Sequence, residues 1–247
     1  IYDAEPGTAS EIVIDMNAIA DSITDEPRPD FYYTSTAQQT EFNCSKCNSY
    51  NDIRGRYGYC ASCGWRNTAE SQKVAFEKIR EKLVGKDLSP SDAIKQAVSE
   101  FDSASRDFTD QLISLVPMKE SRKNQLERLL FHNLDKFDGL LVSCFDINLL
   151  KGMTTDRDFV NKMFFRRHVF EHDGGVTTQR YVEESGDGSI DKGDLIRETL
   201  ENANKFLGNL NRMITTFEND FHEIFKPEPF CIDIENERKK RMSKYNA

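Results

Sequence analysis

The chain has 247 residues, of which 38% are apolar, 11% aromatic and 30% charged, enough for one large domain or two smaller ones with a buried core. Its net charge of −9 is uneven: residues 1–43 hold nine acids against one base, Arg28, so residues 44–247 are close to neutral and do not exclude RNA as a partner. No run has the apolar length of a membrane span and no signal-peptide pattern opens the chain, while four of the six cysteines fall into C-x-x-C pairs, which suits metal binding in a reducing compartment, the cytoplasm by default.

Residues 1–40 read as an acidic arm broken by Pro6, Pro27 and Pro29, with short elements expected at 11–20 and 31–33 and order expected only against a partner. The chain starts at Ile1 rather than methionine, so a longer parent is expected. Residues 41–67 form a zinc ribbon. Cys44 and Cys47 are separated from Cys60 and Cys63 by twelve residues, and each pair supplies two thiolates from one tight turn whose amides point at the sulfurs. Gly64 follows the second pair where a left-handed backbone is needed, and Tyr57, Tyr59 and Trp65 pack a core too small to hold without its metal, structural Zn2+. A structural or protein-docking role outweighs direct nucleic-acid contact, which Lys46, Arg54, Arg56 and Arg66 keep open.

From residue 68 the periodicity is helical, giving a mainly α chain: a helical bundle behind a small four-cysteine ribbon. A connecting helix (68–87) has Val74, Ile79 and Leu83 on its apolar side and ends near Gly85. Ser89-Pro90 then reads as an N-cap with proline at the first helical position. The helix it starts carries Ile94, Ala97, Val98, Phe101, Phe108, Leu112, Ile113 and Leu115 and stops before Pro117. A helix from Lys119 to about Phe145 follows, with Leu126, Leu129, Leu130, Leu134 and Phe137 inward, a bend at Gly139 and Cys144 as a buried, inert thiol. Thr155–His172 is the next, capped by Thr155 or Asp156, and Asp194–Phe225 is the last long one; His132 and His222 lie on other helices as structural or exposed residues. The tail, 227–247, contains Arg238-Lys239-Lys240-Arg241 and reads as basic and solvated, with a phosphate contact as the alternative.

Within the helix that ends at His172 stands Arg167-His168-Val169-Phe170-Glu171-His172, followed by Gly174-Gly175-Val176, then Arg180-Tyr181-Val182 and Ser185-Gly186-Asp187. This order, on the penultimate long helix of a bundle, resembles the HEPN superfamily, and the resemblance covers about residues 88–226. It implies a HEPN-like bundle that pairs as a homodimer and cuts RNA without metal, leaving a 2′,3′-cyclic phosphate, in prokaryotic defence or as a toxin-like effector. It also implies Arg167 and His172 as catalytic residues, with His168 in the polar position after the arginine; Asp173 stands where the pattern has asparagine. The chemistry is coherent, since a near-neutral histidine moves the proton and an arginine carries transition-state charge.

Helical geometry puts Asn161, Phe165, His168 and His172 on one line, with Phe159, Met163 and Phe170 on a core-facing one, and sets Arg167 about 140° from His172. Pairing across a dimer would ease that separation. Arg157, Asn161, Lys162 and Arg166 are substrate-binding candidates, against the plain alternative of a solvated charged face. Arg167 has its own alternative as an ion-pair partner of Glu171, and His172 as a residue favoured by the helix C-terminus. Two rival functions stay open. One is a non-catalytic HEPN module for dimerisation or RNA or nucleotide binding, with the ribbon docking a partner. The other is a zinc-dependent regulatory protein whose acidic arm mimics nucleic acid.

Overall fold

In the computed structural model, which describes residues 39–131 and 133–245, the helical periodicity resolves into eight helices behind a two-stranded ribbon. The acidic arm up to residue 38 and His132 lie outside the described residues. Strands β1 (Gln39–Asn43) and β2 (Tyr50–Arg54) pair with each other and flank the first cysteine turn. The two cysteine turns are built alike. Asn48 and Gly64, each four residues past the first cysteine of its pair, adopt left-handed backbone (φ 54° and 73°) and donate to the Cys44 and Cys60 carbonyls at 2.8 Å. Asparagine and glycine are the residues that take this conformation at least cost.

Helix α1 (Thr68–Val84) turns Phe76, Ile79 and Leu83 into the bundle, while Val74, expected inward, lies on the exposed side. Its core face merges with those of α2 (Pro90–Leu115) and α7 (Leu200–Ile224), so it is part of the bundle itself. Ser89 caps α2 as its sequence requires, accepting from the Asp92 amide at 3.1 Å. Ile94, Ala97, Val98, Phe101, Phe108 and Leu112 are fully buried, whereas Leu115 faces solvent. Phe108 packs on Phe217 of α7 with ring centroids 4.8 Å apart, and Phe101 on Phe164 at 5.7 Å.

The single helix expected over 119–145 is two, α3 (Glu120–Glu127) and α4 (Leu134–Phe145). The break falls before Asn133, which caps α4 by accepting from the Lys136 amide, rather than at Gly139. Leaving helical geometry lets both Leu129 and Phe131 reach the core, a spacing of two that no helix face accommodates, and it turns Leu130 outward at 60% exposure. Cys144 is half-buried rather than buried.

Helix α5 (Arg157–His172) starts after Asp156, whose carboxylate caps nothing. It instead reaches α7, pairing with Lys205 at 3.0 Å and Arg212 at 3.5 Å. A short helix α6 (Gln179–Glu184) follows, capped by Thr178. Residues 194–199, expected as the first turns of the last long helix, are not helical. Leu195 bridges Val176, the Ile196 amide donates to the Gly175 carbonyl at 2.9 Å, and α7 begins only where Thr199 caps it. The backbone bonds gained against residues 175–177 compete locally with helix, and Thr199 fixes the boundary.

The expected solvated tail is a helix, α8 (Pro229–Tyr245). Its Cys231 and Ile232 pack against the ribbon, the Glu228 amide donates to the Cys63 carbonyl at 2.7 Å, and Glu235 is buried. Arg238, Lys239 and Arg241 pair with Glu235 or Glu237 along this helix. The described residues from Thr40 onward form one compact unit, and among them no helix is long and apolar enough to cross a membrane.

Candidate functional site

The four ribbon cysteines are buried and their sulfurs all lie within 4.8 Å of one another, an arrangement that can hold a metal ion. Cys44 and Cys63 Sγ are 3.6 Å apart and Cys47 and Cys60 Sγ 3.5 Å, close to the roughly 3.8 Å edge of a tetrahedron with metal–sulfur bonds of about 2.3 Å. Burial raises the Cys60 pKa, but the amides of Cys63 and Ser62 and the Asn51 side chain outweigh it and bring the thiol down to about 6. Asn51 is itself buried and also accepts from the Ala61 amide at 2.8 Å, tying β2 to the second cysteine turn.

This ribbon is fastened to the bundle by side chains that its motif does not reveal. Trp65 stacks on His222 of α7 at 4.0 Å between centroids, with the Lys46 ammonium 3.9 Å from the indole centroid. The Arg66 amide donates to His222 Nε2 at 3.1 Å while Nδ1 donates to the Phe225 carbonyl at 3.0 Å, so the ring is neutral. Burial, then the charges of Lys46 and Arg66, hold its pKa below the ordinary value. The Arg66 guanidinium forks onto Asp107 of α2, which also accepts from Thr68.

On α5 the expected line is present. His168 and His172 are exposed one turn apart, their rings 4.6 Å between centroids. Partial desolvation, followed by the charge of His172, lowers the His168 pKa, with Asp173 opposing. His168 opens onto a groove of about 420 Å3 between α5 and α6 that includes Asn133, Asn161, Phe165, Arg180 and Tyr181. Arg180 makes an exposed pair with Glu184 at 2.9 Å, and Arg157 pairs with Asp135 at 2.6 Å across the other rim.

Arg167 is not on this line. Val160, Met163 and Phe164 form the core-facing row of α5, and Arg167 continues it at the next helical step, which replaces the expected row of Phe159, Met163 and Phe170; Phe159 and Phe170 are only half-buried. Its Nε is buried and without a hydrogen-bond partner among the described residues, as is Oδ1 of Asp102 on α2. Burial pushes the Asp102 carboxyl up to about 6 against the opposing charges of Arg167 and Arg106. No ion pair joins Arg167 to Glu171 among the described residues.

Arg166, a substrate-binding candidate in the sequence, is committed inside the fold. Its guanidinium donates to Asp187 and Glu198 at 2.7 Å each and to the Tyr181 hydroxyl at 3.2 Å. Tyr181 in turn donates to Asp187 at 2.8 Å. Burial alone would lower the Arg166 pKa, but the two carboxylates raise it, and the same contacts hold Asp187 well below the usual carboxylate range. Lys162 is half-buried and in no ion pair among the described residues, and Asn161 has no side-chain hydrogen bond among them. Asp102, Asn133 and Glu198 escaped the sequence reading, and Arg180 and Asp187 entered it only as part of the pattern downstream of His172, with no role assigned. The i, i+3, i+4, i+7 spacing of Val160, Met163, Phe164 and Arg167 was a signal for the inward arginine; no local pattern announced Asp102, Asn133 or Glu198.

A broader hollow of about 810 Å3 between the ribbon and helices α1 and α2 has mixed charge, with Arg56 paired to Glu100, and contains no histidine or cysteine. Comparison with protein-family models, with curated proteins and with solved structures gives no match for this chain.

Proposed function

We propose that this chain is a metal-independent endoribonuclease of HEPN type, with its reacting groups on the outer face of α5. The observation that carries the reading is His168 at the α5–α6 groove that Arg180 also lines, with the exposed His172 ring one helical turn on, its centroid 4.6 Å from that of His168. A histidine held neutral takes the 2′-hydroxyl proton as the 2′-oxygen attacks phosphorus; the bond to the 5′-oxygen breaks and that oxygen takes a proton from the second histidine. The products are a 2′,3′-cyclic phosphate and a 5′-hydroxyl. Charge on the transferring phosphate needs a cation. Arg180 is available, because an exposed i, i+4 pair such as Arg180–Glu184 holds it by only about 0.3–0.5 kcal/mol. Arg167, the arginine of the resemblance, would serve only after turning out of the bundle, and the homodimer implied by the resemblance would bring a second copy of the face to the cleft.

Zinc is the metal we assign to the four cysteines, because an all-thiolate tetrahedral set with no open position is a structural zinc site. Its work is to fix the ribbon against α2, α7 and α8.

The test is cleavage of labelled single-stranded RNA by wild type and by His172→Ala without added metal, with product ends identified. Cleavage by wild type alone, leaving a cyclic phosphate and sparing DNA, is the expected result. Intact RNA with both folded proteins refutes the nuclease reading and favours a non-catalytic RNA-binding module. The buried, unpartnered Arg167 Nε is the observation on that side.

A further inference from the structure

We propose that the groove between α5 and α6 is a pocket for one unpaired nucleobase of RNA, seating the attached phosphate against His168 and Arg180; this rests on the RNA-directed reading above. Size is the first argument. At about 420 Å3 the groove lies in the range of small-ligand pockets and is far too small for a duplex.

The lining is the second. Phe165 and Leu130, the latter turned outward where α3 and α4 separate, are apolar walls suited to the face of a planar ring. Single-stranded RNA is read in this way, by stacking an unpaired base and hydrogen-bonding its edge. The edge readers are two amides. Asn161 has no side-chain partner among the described residues, so both its donor and its acceptor are free. Asn133 spends its oxygen on the Lys136 amide and keeps its NH2. Tyr181 also lines the groove, but its hydroxyl is engaged by Arg166 and Asp187, which makes it a wall rather than a reader.

Charge is the third. The acids at the groove, Asp135 and Glu184, are paired with Arg157 and Arg180, leaving an interior suited to a neutral ring with polar edges. A phosphate pushed inside would meet both carboxylates. At the rim it would meet His168 and Arg180, so a base inside and a phosphate outside satisfies both halves of a nucleotide.

The experiment is calorimetric titration of the full chain carrying His172→Ala, so that nothing is cut, with adenosine 5′-monophosphate, uridine 5′-monophosphate and ribose 5-phosphate. At least one nucleotide should bind ten-fold or more tightly than the base-free sugar phosphate. Adding Asn161→Ala should weaken that nucleotide about 5- to 100-fold, the span for losing a two-point base contact, and leave ribose 5-phosphate unchanged. Because the Asn161 side chain makes no hydrogen bond among the described residues, this variant is expected to keep the wild-type circular dichroism and melting temperature. Equal binding of nucleotide and ribose 5-phosphate, no binding of either, or indifference to Asn161→Ala each overturns the pocket. If RNA is cut by wild type while no nucleotide binds, the pocket alone falls. If nucleotides bind as expected and RNA is not cut, only the nuclease reading falls.

Discussion

Replacing Arg166 with alanine tests whether this arginine belongs to the architecture rather than to a substrate. The side chains of Arg166, Asp187 and Glu198 are 10%, 3% and 1% exposed, so the variant leaves two carboxylates inside the protein without their counter-charge. Removing one partner of a buried pair costs about 3–5 kcal/mol, much of it the desolvation of the acids left behind. For a chain of this size that is a fall of roughly 6–20 °C in Tm. Urea unfolding at pH 7, followed by circular dichroism, reads the free energy. Amide exchange at Thr177 and Ile196, whose N–H groups bond across the 175–196 segment, reports whether the loss is confined there or reaches the whole bundle. The sign with pH follows from Asp187. Its folded pKa is depressed, so its contribution is complete above the unfolded value of about 3.9 and is lost as pH falls through the folded one. In the variant the stranded acids take up protons instead. The gap between the two proteins should therefore close on acidification from pH 7. A loss under about 1 kcal/mol at pH 7, the worth of a surface pair, would refute the network as an internal strut.

Metal removal should loosen the ribbon and α8 together. Chelation is expected to shift the emission of Trp65, the single tryptophan, to longer wavelength as it leaves His222, and metal analysis should find one zinc per chain. An unchanged spectrum after complete metal loss would count against the coupling. His222 has a depressed pKa, so unfolded chains bind its proton first and stability should fall as pH drops below about 6.5. His222→Gln should flatten that part of the pH–stability curve, and an unaltered slope would argue against a neutral ring. Asp102 has a raised pKa, so ionisation penalises the folded state as pH climbs from about 3.9 towards about 6. Asp102→Asn removes that ionisation penalty and should therefore stabilise the protein at pH 7 by about 1–3 kcal/mol in urea unfolding, the scale of a pKa raised to about 6. Destabilisation by that change would mean instead that attraction to Arg167 dominates.

What the sequence by itself determined is what short-range chemistry controls. The spacing of Cys44, Cys47, Cys60 and Cys63 requires two thiolate turns, with Asn48 and Gly64 at the positions where the backbone turns left-handed. Ser89-Pro90 starts a helix because its hydroxyl and ring suit the first turn, and the apolar row from Ile94 to Leu112 sets which side of that helix is buried. The line of Asn161, Phe165, His168 and His172 follows from 3.6 residues per turn alone. Tertiary structure decided the rest, because each remaining outcome depends on partners distant in sequence. Leu129 and Phe131 interrupt a helix that local propensity would continue, since both find room in the core. The basic tail becomes α8 because the ribbon offers Cys231 and Ile232 a surface. Of two adjacent arginines, Arg166 meets Asp187 and Glu198 while Arg167 keeps a buried, unpartnered Nε and acts on Asp102 only through its charge, a division set by where carboxylates more than 20 residues away come to rest. Periodicity fixes the angle at which a side chain leaves its helix, and only packing fixes what waits there.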